Sequence, residues 1–315
     1  MKKESDVVQE LVQARRIESP SSINTYNQCP RKYYFTYIAK LPSKGNIYQV
    51  KGNVVHSVLE SFFDQKLPED INYENAEERF KQTIFNLFSR FWKEKHLEIK
   101  KIELSEAEQA IGIDDCINML YSWAEIFVKR MRKTGLVFSE AFKSLTPLHK
   151  EKYFVADEYA VHGFVDVIEE KDGKIRLMDY KTSGSSYLTD EYLLQLGIYA
   201  LLYKTSFNSV PHEVGIYFLK DENGEKVLSV TEYLLENAKR QIKEHHFKAL
   251  SDNIEDYPKK ISNLCKWSNG KCDFYEVCFD KDGSERPTPK HILPVNKSPV
   301  SKLPVTAPKE NKSSN

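Results

Sequence analysis

The chain has 315 residues, with 46 Lys+Arg balanced by 46 Asp+Glu and 40% apolar residues, which excludes a wholly basic nucleic-acid binder and leaves a globular composition of one large or two small domains. No window approaches the roughly 18 to 20 consecutive apolar residues of a membrane helix, and the opening MKKESDVVQELVQARRIE lacks the apolar run of a signal peptide. The chain is therefore expected in the cytoplasm, with no membrane contact; its five cysteines, odd in number and dispersed, argue against a disulfide framework.

In chain order, residues 1–19 read as an N-terminal extension, 20–280 as one domain with a helical insertion over about 70–135, and 281–315 as a disordered tail rich in proline and free of aromatics. Between Ser19 and Leu59 there is no acid at all, while Arg31, Lys32, Lys40, Lys44 and Lys51 are interleaved with Tyr26, Tyr33, Tyr34, Phe35, Tyr37 and Tyr48. That mixture suits phosphate contact and base stacking, with Arg31 and Lys32 as candidate DNA contacts. It fits equally well a basic helix whose aromatics are core.

Ser21 and Ser22 are placed to cap a short helix, and NVVHSVLESFFDQ after Gly52 has helical apolar spacing that sets His56 and Glu60 on one face. Phe80, Ile84, Leu87, Phe88 and Phe91, then Ile117, Leu120, Tyr121, Ala124 and Val128, stripe the helices of the insertion. The character then changes. EKYFVADEYAV, HGFVDVIEE and KIRLMDYKT are short β-type runs, expected to form an antiparallel meander. A helix over Leu188–Lys204, strands EVGIYFLK and KVLSV around a turn at Asp221–Gly224, and a helix over Thr231–Leu250 complete the order.

A hairpin centred between Asp172 and Gly173 pairs positions whose numbers sum to 345, setting Asp166 opposite Asp179. Opposed residues have Cβ atoms roughly 4.5–5.5 Å apart, and alternation puts Lys181 on the face of Asp179. Two carboxylates so close repel unless a cation lies between them, and hard oxygen ligands favour magnesium or manganese. Such a site suits phosphodiester hydrolysis, with Lys181 orienting or deprotonating a water or stabilising developing charge. Asp179 and Lys181 alone also fit an ordinary surface salt bridge.

Gly163-Phe164-Val165-Asp166 followed by Asp179-Tyr180-Lys181-Thr182 resembles the G-(I/V)-D … D-Y-K-T signature of RecB-like nucleases in the PD-(D/E)XK superfamily. Gln195 and Tyr199 in LLQLGIYALLY resemble its Q-x-x-x-Y motif, His56 in GNVVHSVLE its upstream histidine motif, and Ser22–Phe35 its N-terminal cysteine segment. These stand in family order over about residues 20–280. The resemblance implies an α/β (α+β) fold: a restriction-endonuclease-like core whose central mixed sheet is flanked by helices. It further implies that His56, Asp166, Asp179 and the main-chain carbonyl of Tyr180 ligate magnesium or manganese, that Lys181 is catalytic, and that Gln195 and Tyr199 border the site and help hold DNA. Glu151 aligns loosely with a further family acid and is assigned no role.

Cys29 stands near the N-terminus, and Cys265, Cys272 and Cys278 cluster after the last expected helix. Four thiolates suit an iron–sulfur cluster or structural zinc. Many RecB-like nucleases, including the AddB type and the CRISPR-associated family, hold a four-iron cluster with one N-terminal and three C-terminal cysteines, and CDFYEVC resembles the last pair. Six residues separate Cys265 from Cys272 where that family usually has two, and Cys116 reads as a buried hydrophobe. The implied function is a metal-dependent deoxyribonuclease, most simply an exonuclease on DNA ends or single strands in recombination, repair or phage DNA metabolism, in a prokaryotic or phage-infected cell. With no GxxxxGK[ST] phosphate loop in the chain, a helicase or recombination protein is the expected partner. A CRISPR spacer-processing nuclease and a noncatalytic, nuclease-derived scaffold are the alternatives.

Overall fold

The structure, a computed structural model, describes residues 16–184, 186–267 and 270–288. Helix α1 (Pro20–Gln28) starts earlier than expected: Ser19 is its N-cap, Ser22 closes the capping box and Pro20 occupies the first turn. A short α2 (Pro30–Tyr33) runs on into a π-helical turn at Tyr34–Ile38. Next, α3 (Ile47–Phe62) also begins before its expected start, because Asn46 and Gln49 form a capping box that outweighs the roughly 1 kcal/mol cost of Gly52 inside the helix. The insertion consists of α4 (Ala76–Glu94), α5 (His96–Ile102), α6 (Glu106–Lys133) and α7 (Phe138–Leu145). Phe62 from α3 meets Phe80, Trp123 and Phe127 edge-on, which locks the insertion to α3.

Strands β1 (His149–Ala156), β2 (Val161–Lys171) and β3 (Lys174–Lys181) form the expected antiparallel meander. Lys171 pairs with Lys174 around Asp172 and Gly173, whose φ of 53° and 71° make the type I′ turn that fits twisted strands. Helix α8 (Asp190–Phe207) is the crossover to β4 (Glu213–Phe218), which pairs parallel with β3; β5 (Glu225–Ser229) returns antiparallel, and α9 (Glu232–Lys248) follows. The five strands lie in the order β1-β2-β3-β4-β5, a mixed sheet. Val167, Met178 and Tyr180 face the core of α3 and the insertion, while Val165, Ile168, Leu177 and Ile216 face α8 and α9. Gly163 allows the close approach of α8, since a Cβ there would meet Leu202 Cδ1 at 3.2 Å and Tyr199 Cε1 at 3.5 Å. Among the described residues no helix is long and apolar enough to cross a membrane.

A third core joins the two ends of the domain. Tyr26, Tyr33, Tyr34 and Phe35 are buried there with Tyr257 and Phe274, so these four aromatics are core and not the base-stacking surface that their basic context allowed. The C-terminal portion adds a two-strand hairpin, β6 (Lys266–Trp267) with β7 (Gly270–Lys271), and a last turn, α10 (Tyr275–Cys278). Residues 281–288, the start of the expected tail, fold back: Phe279 bridges to Glu285, and Arg286 N donates to Cys278 O at 2.9 Å. The rest of that tail, 289–315, and residues 1–15 of the extension lie outside the described residues.

Glu18 anchors this end. Its backbone bridges to Val161, and its buried carboxylate accepts from Ser22 Oγ and Tyr33 OH, each at 2.5 Å, with Arg16 Nε at 3.4 Å and His245 Nε2 at 3.7 Å. Burial alone would raise its pKa; His245, then Arg16, Ser22 and Tyr33, outweigh burial and hold it down at about 2. A carboxyl depressed in the folded state stabilises the fold above its unfolded pKa, and that contribution is lost as the pH falls through the folded value. Glu18→Gln should therefore destabilise the protein by roughly 3 kcal/mol at neutral pH. Thermal melts of the two proteins should converge between about pH 4.5 and 2 as the wild-type carboxylate takes up its proton; a constant gap across that window would mean that the charge of Glu18 contributes nothing.

Candidate active site

A groove of about 1030 Å³ runs between α3 and the sheet, lined by Asn53, His56 and Glu60 on one side and Glu151, Phe164 and Asp166 on the other. Its shape follows from a defect shared by β1 and β2. On either side of Glu151 and Asp166 the register is unchanged, Lys150 with Val167 and Lys152 with Val165, but these two residues themselves leave the ladder. Glu151 has a φ of 43°, a left-handed conformation that a β-strand residue adopts only under constraint. Alternation consequently slips: Val165 and Ile168 both face α8, and Asp166 and Val167 both turn away from it. The slip directs Glu151 and Asp166 toward His56.

His56 Nδ1 lies 3.2 Å from Asp166 Oδ2 and 3.6 Å from Glu151 Oε1, and its Nε2 lies 2.9 Å from the carbonyl oxygen of Tyr180. Ligand atoms of His56, Glu151 and Asp166 fall within 4.8 Å of one another. Burial disfavours the imidazolium, but Asp166 first and Glu151 next hold the His56 pKa well above its usual value. The Asp166 carboxyl is pushed up to about 6, by burial and then by Asp179, against the pull of His56. The ring sits between the two carboxylates and the Tyr180 carbonyl, and the oxygen-rich donor set suits a hard divalent metal.

The sequence reading placed Asp166 and Asp179 face to face. Their register is as expected, with Val167 opposite Met178, but the paired ladder of β2 and β3 ends there. Beyond it the carboxylate of Asp166 replaces the missing strand partner, accepting from Tyr180 N at 2.8 Å. Asp179 is buried beside α8, where Oδ1 accepts from Gln195 Nε2 at 2.8 Å and Tyr199 OH at 3.3 Å. Its Oδ2 receives no directed hydrogen bond and lies 2.7 Å from Lys181 Nζ. That oxygen is thus held by the Lys181 ion pair. Burial opposes the charge on Lys181, yet Asp179 raises its pKa above the ordinary lysine value, so it is an ammonium. Gln195 and Tyr199 meet Asp179 from α8, and their polar groups are directed onto its carboxylate.

Arg31 is 3% exposed, and its guanidinium donates to Tyr257 O at 2.6 Å and to Thr288 Oγ1 at 3.3 Å, which clasps the chain ends together. Lys32 instead lines a cavity shared by Cys29, Cys265, Cys272 and Cys278. The insertion before Cys272 therefore does not carry Cys265 away: Cys272 N donates to Cys265 O at 2.9 Å across the base of the β6–β7 hairpin. Burial raises the Cys272 pKa and brings that of Cys278 up to about 11. Cys116 is buried in the α3–insertion core, as expected.

Glu151 is the functional candidate that sequence reasoning left without a role. The signal was present: centring the β1–β2 hairpin on Asp157–Ala160 sets Glu151 opposite Asp166, just as centring the next hairpin sets Asp166 opposite Asp179.

Two phage proteins resemble the chain. The gene 69 protein of Mycobacterium phage L5 is 24% identical over 250 residues, covering 71% of this chain and 83% of the phage protein. That of Mycobacterium phage D29 is 22% identical over 259 residues, covering 76% and 87%. The crystal structure of a candidate exonuclease from Eubacterium rectale aligns over 92% of this chain and 97% of its own, with 13% identity and a TM-score of 0.47. The sequence profile of the PD-(D/E)XK nuclease superfamily matches residues 18–279, the whole of the sheet, both helical layers and every cleft residue described above, and the chain belongs to that superfamily.

Proposed function

We propose that the chain is a magnesium- or manganese-dependent deoxyribonuclease, an exonuclease hydrolysing phosphodiester bonds at DNA ends or in single strands. The observation that carries this reading is the convergence of His56, Glu151 and Asp166 with the Asp179–Lys181 pair at the open end of the β2–β3 ladder. His56, Asp166, Asp179 and the carbonyl of Tyr180 would hold the metal, with Glu151 as an added carboxylate. When bound, such an ion lowers the pKa of a water and polarises a phosphate oxygen. Lys181, as an ammonium, is suited to bind a phosphate oxygen and to stabilise charge that develops there. Gln195 and Tyr199 orient Asp179. The phage origin of both relatives supports a role in phage DNA metabolism, alongside recombination or repair.

A scaffold that has lost catalysis has no need to keep these acids and the lysine together at the open end of the β2–β3 ladder, and their arrangement favours the enzyme. End-labelled single- and double-stranded DNA should be shortened in the presence of manganese and left intact with a chelator; intact DNA in every lane would return the scaffold reading. Lys181→Ala should lower turnover by roughly 100- to 1000-fold, the usual effect of removing one group that stabilises transition-state charge, while DNA affinity changes only a few-fold. Asp166→Ala and Asp179→Ala should fall at least as far. His56→Ala should be milder and partly restored at high manganese concentration, since other ligands remain. Unchanged turnover in the Asp179 and Lys181 variants would remove this mechanism.

The cysteine cavity is proposed to hold a [4Fe–4S] cluster. Its lining brings Cys29 from the N-terminal segment together with Cys265, Cys272 and Cys278 from the C-terminal one. Protein purified without air should be brown and contain iron and sulfide, and Cys272→Ser should lower the melting temperature more than it lowers turnover of the folded enzyme. One equivalent of zinc in colourless protein would replace the cluster by a zinc site.

A further inference from the structure

We infer that Tyr153 and Phe164 form a base-stacking platform that makes unpaired nucleotides the preferred substrate of the groove, an inference that rests on the nuclease reading above. The two residues pair directly across β1 and β2, one step along the same sheet face from Glu151 and Asp166. Their ring centroids are 4.9 Å apart with planes inclined by 47°. On the opposite face their neighbours Phe154 and Val165 are buried against α8, whereas Tyr153 is 50% exposed and Phe164 51% exposed. Half of a large aromatic pair is therefore left in water beside Glu151 and Asp166.

Phe164 lines the same groove as His56, Glu151 and Asp166, so the platform is continuous with the candidate active site. Along a strand, side chains two residues apart are separated by roughly 7 Å. A nucleotide whose phosphate reaches Asp166 thus has its base within reach of the rings. The charges of the groove make this contact matter. Lys44, Lys95 and Lys101 line it, but so do Glu60 and Glu98, and Lys95 Nζ is paired with Glu98 at 2.8 Å. With its cations offset by acids, the groove offers little of the phosphate attraction on which sequence-independent DNA binding usually depends. Stacking on an aromatic face is tolerant of sequence and supplies the missing part. It also selects the form of the substrate. A base in a duplex is already stacked and paired, so it gains from Tyr153 and Phe164 only after it has been extruded, at a cost of a few kcal/mol.

The test uses the full chain, measuring affinity by fluorescence anisotropy without divalent ion and cleavage with manganese. The probes are a single-stranded oligonucleotide, its blunt duplex and the same single strand lacking bases near its labelled end. Phe164→Ala and Tyr153→Ala should each weaken single-strand binding by about 5- to 100-fold and raise KM to match, with kcat little changed. The duplex should bind equally to all proteins, and the base-free strand should bind wild type as weakly as it binds Phe164→Ala. Phe164→Trp should retain single-strand affinity, whereas Phe164→Leu, which keeps apolar bulk and guards the fold, should lose it. Wild-type cleavage with no loss in the variants, or an equal loss on single strand and duplex, would overturn the platform and leave the nuclease reading standing. Wild type that neither binds nor cleaves any probe would overturn the nuclease reading itself.

Discussion

A buried carboxylate needs a proton, a cation or hydrogen-bond donors, and Asp166 is placed where the two β-ladders beside it both give way. The Asp166 side chain occupies the position that a strand carbonyl would otherwise fill, taking the amide hydrogen of Tyr180. It also faces Glu151, and both acids turn to the same side because alternation slips at that pair. Each departure from ideal β-geometry exposes polar groups that regular pairing would have consumed. The groove is the result: its acids are mutually destabilising, and His56, Lys181 and the donors from α8 hold them in place.

The rest of the architecture serves that opening. Helix α3 brings His56 across the gap, and the insertion keeps α3 rigid through a block of aromatic rings around Phe62. Helix α8 approaches closely enough, over Gly163, for Gln195 and Tyr199 to reach Asp179. The ends of the domain are tied together elsewhere, by Arg31, Glu18 and the cysteine cavity, so that the parts that hold the fold shut are separate from the parts that face the groove. A substitution in the clasp and one in the groove should therefore act through different properties of the protein.

What the sequence made legible was governed by local rules. Asp172-Gly173 fixes a type I′ turn, the turn fixes the register, and the register brings Asp166 and Asp179 to the same end of the sheet. The Gln195–Tyr199 spacing puts both side chains on one helix face, where they meet Asp179. Reading failed where tertiary context decides. Arg31 carries no mark that distinguishes a buried clasp from a surface cation, because its partner is the backbone of Tyr257, more than two hundred residues away. Tyr26, Tyr33 and Phe35 look like a stacking surface until Tyr257 and Phe274 cover them. Glu151 is legible from the hairpin register alone, because the slip that aims it at His56 breaks the alternation that would otherwise mark its face.

The bond between Tyr180 N and Asp166 Oδ2 has a spectroscopic consequence. An amide in a regular ladder donates to a neutral carbonyl, but this one donates to a group whose charge varies with protonation. Its proton chemical shift and its exchange with solvent therefore follow the charge on Asp166 directly. Nuclear magnetic resonance of a single backbone amide, in protein labelled with nitrogen-15, can thus follow the ionic state of the groove in real time, with no oligonucleotide added and no bond broken.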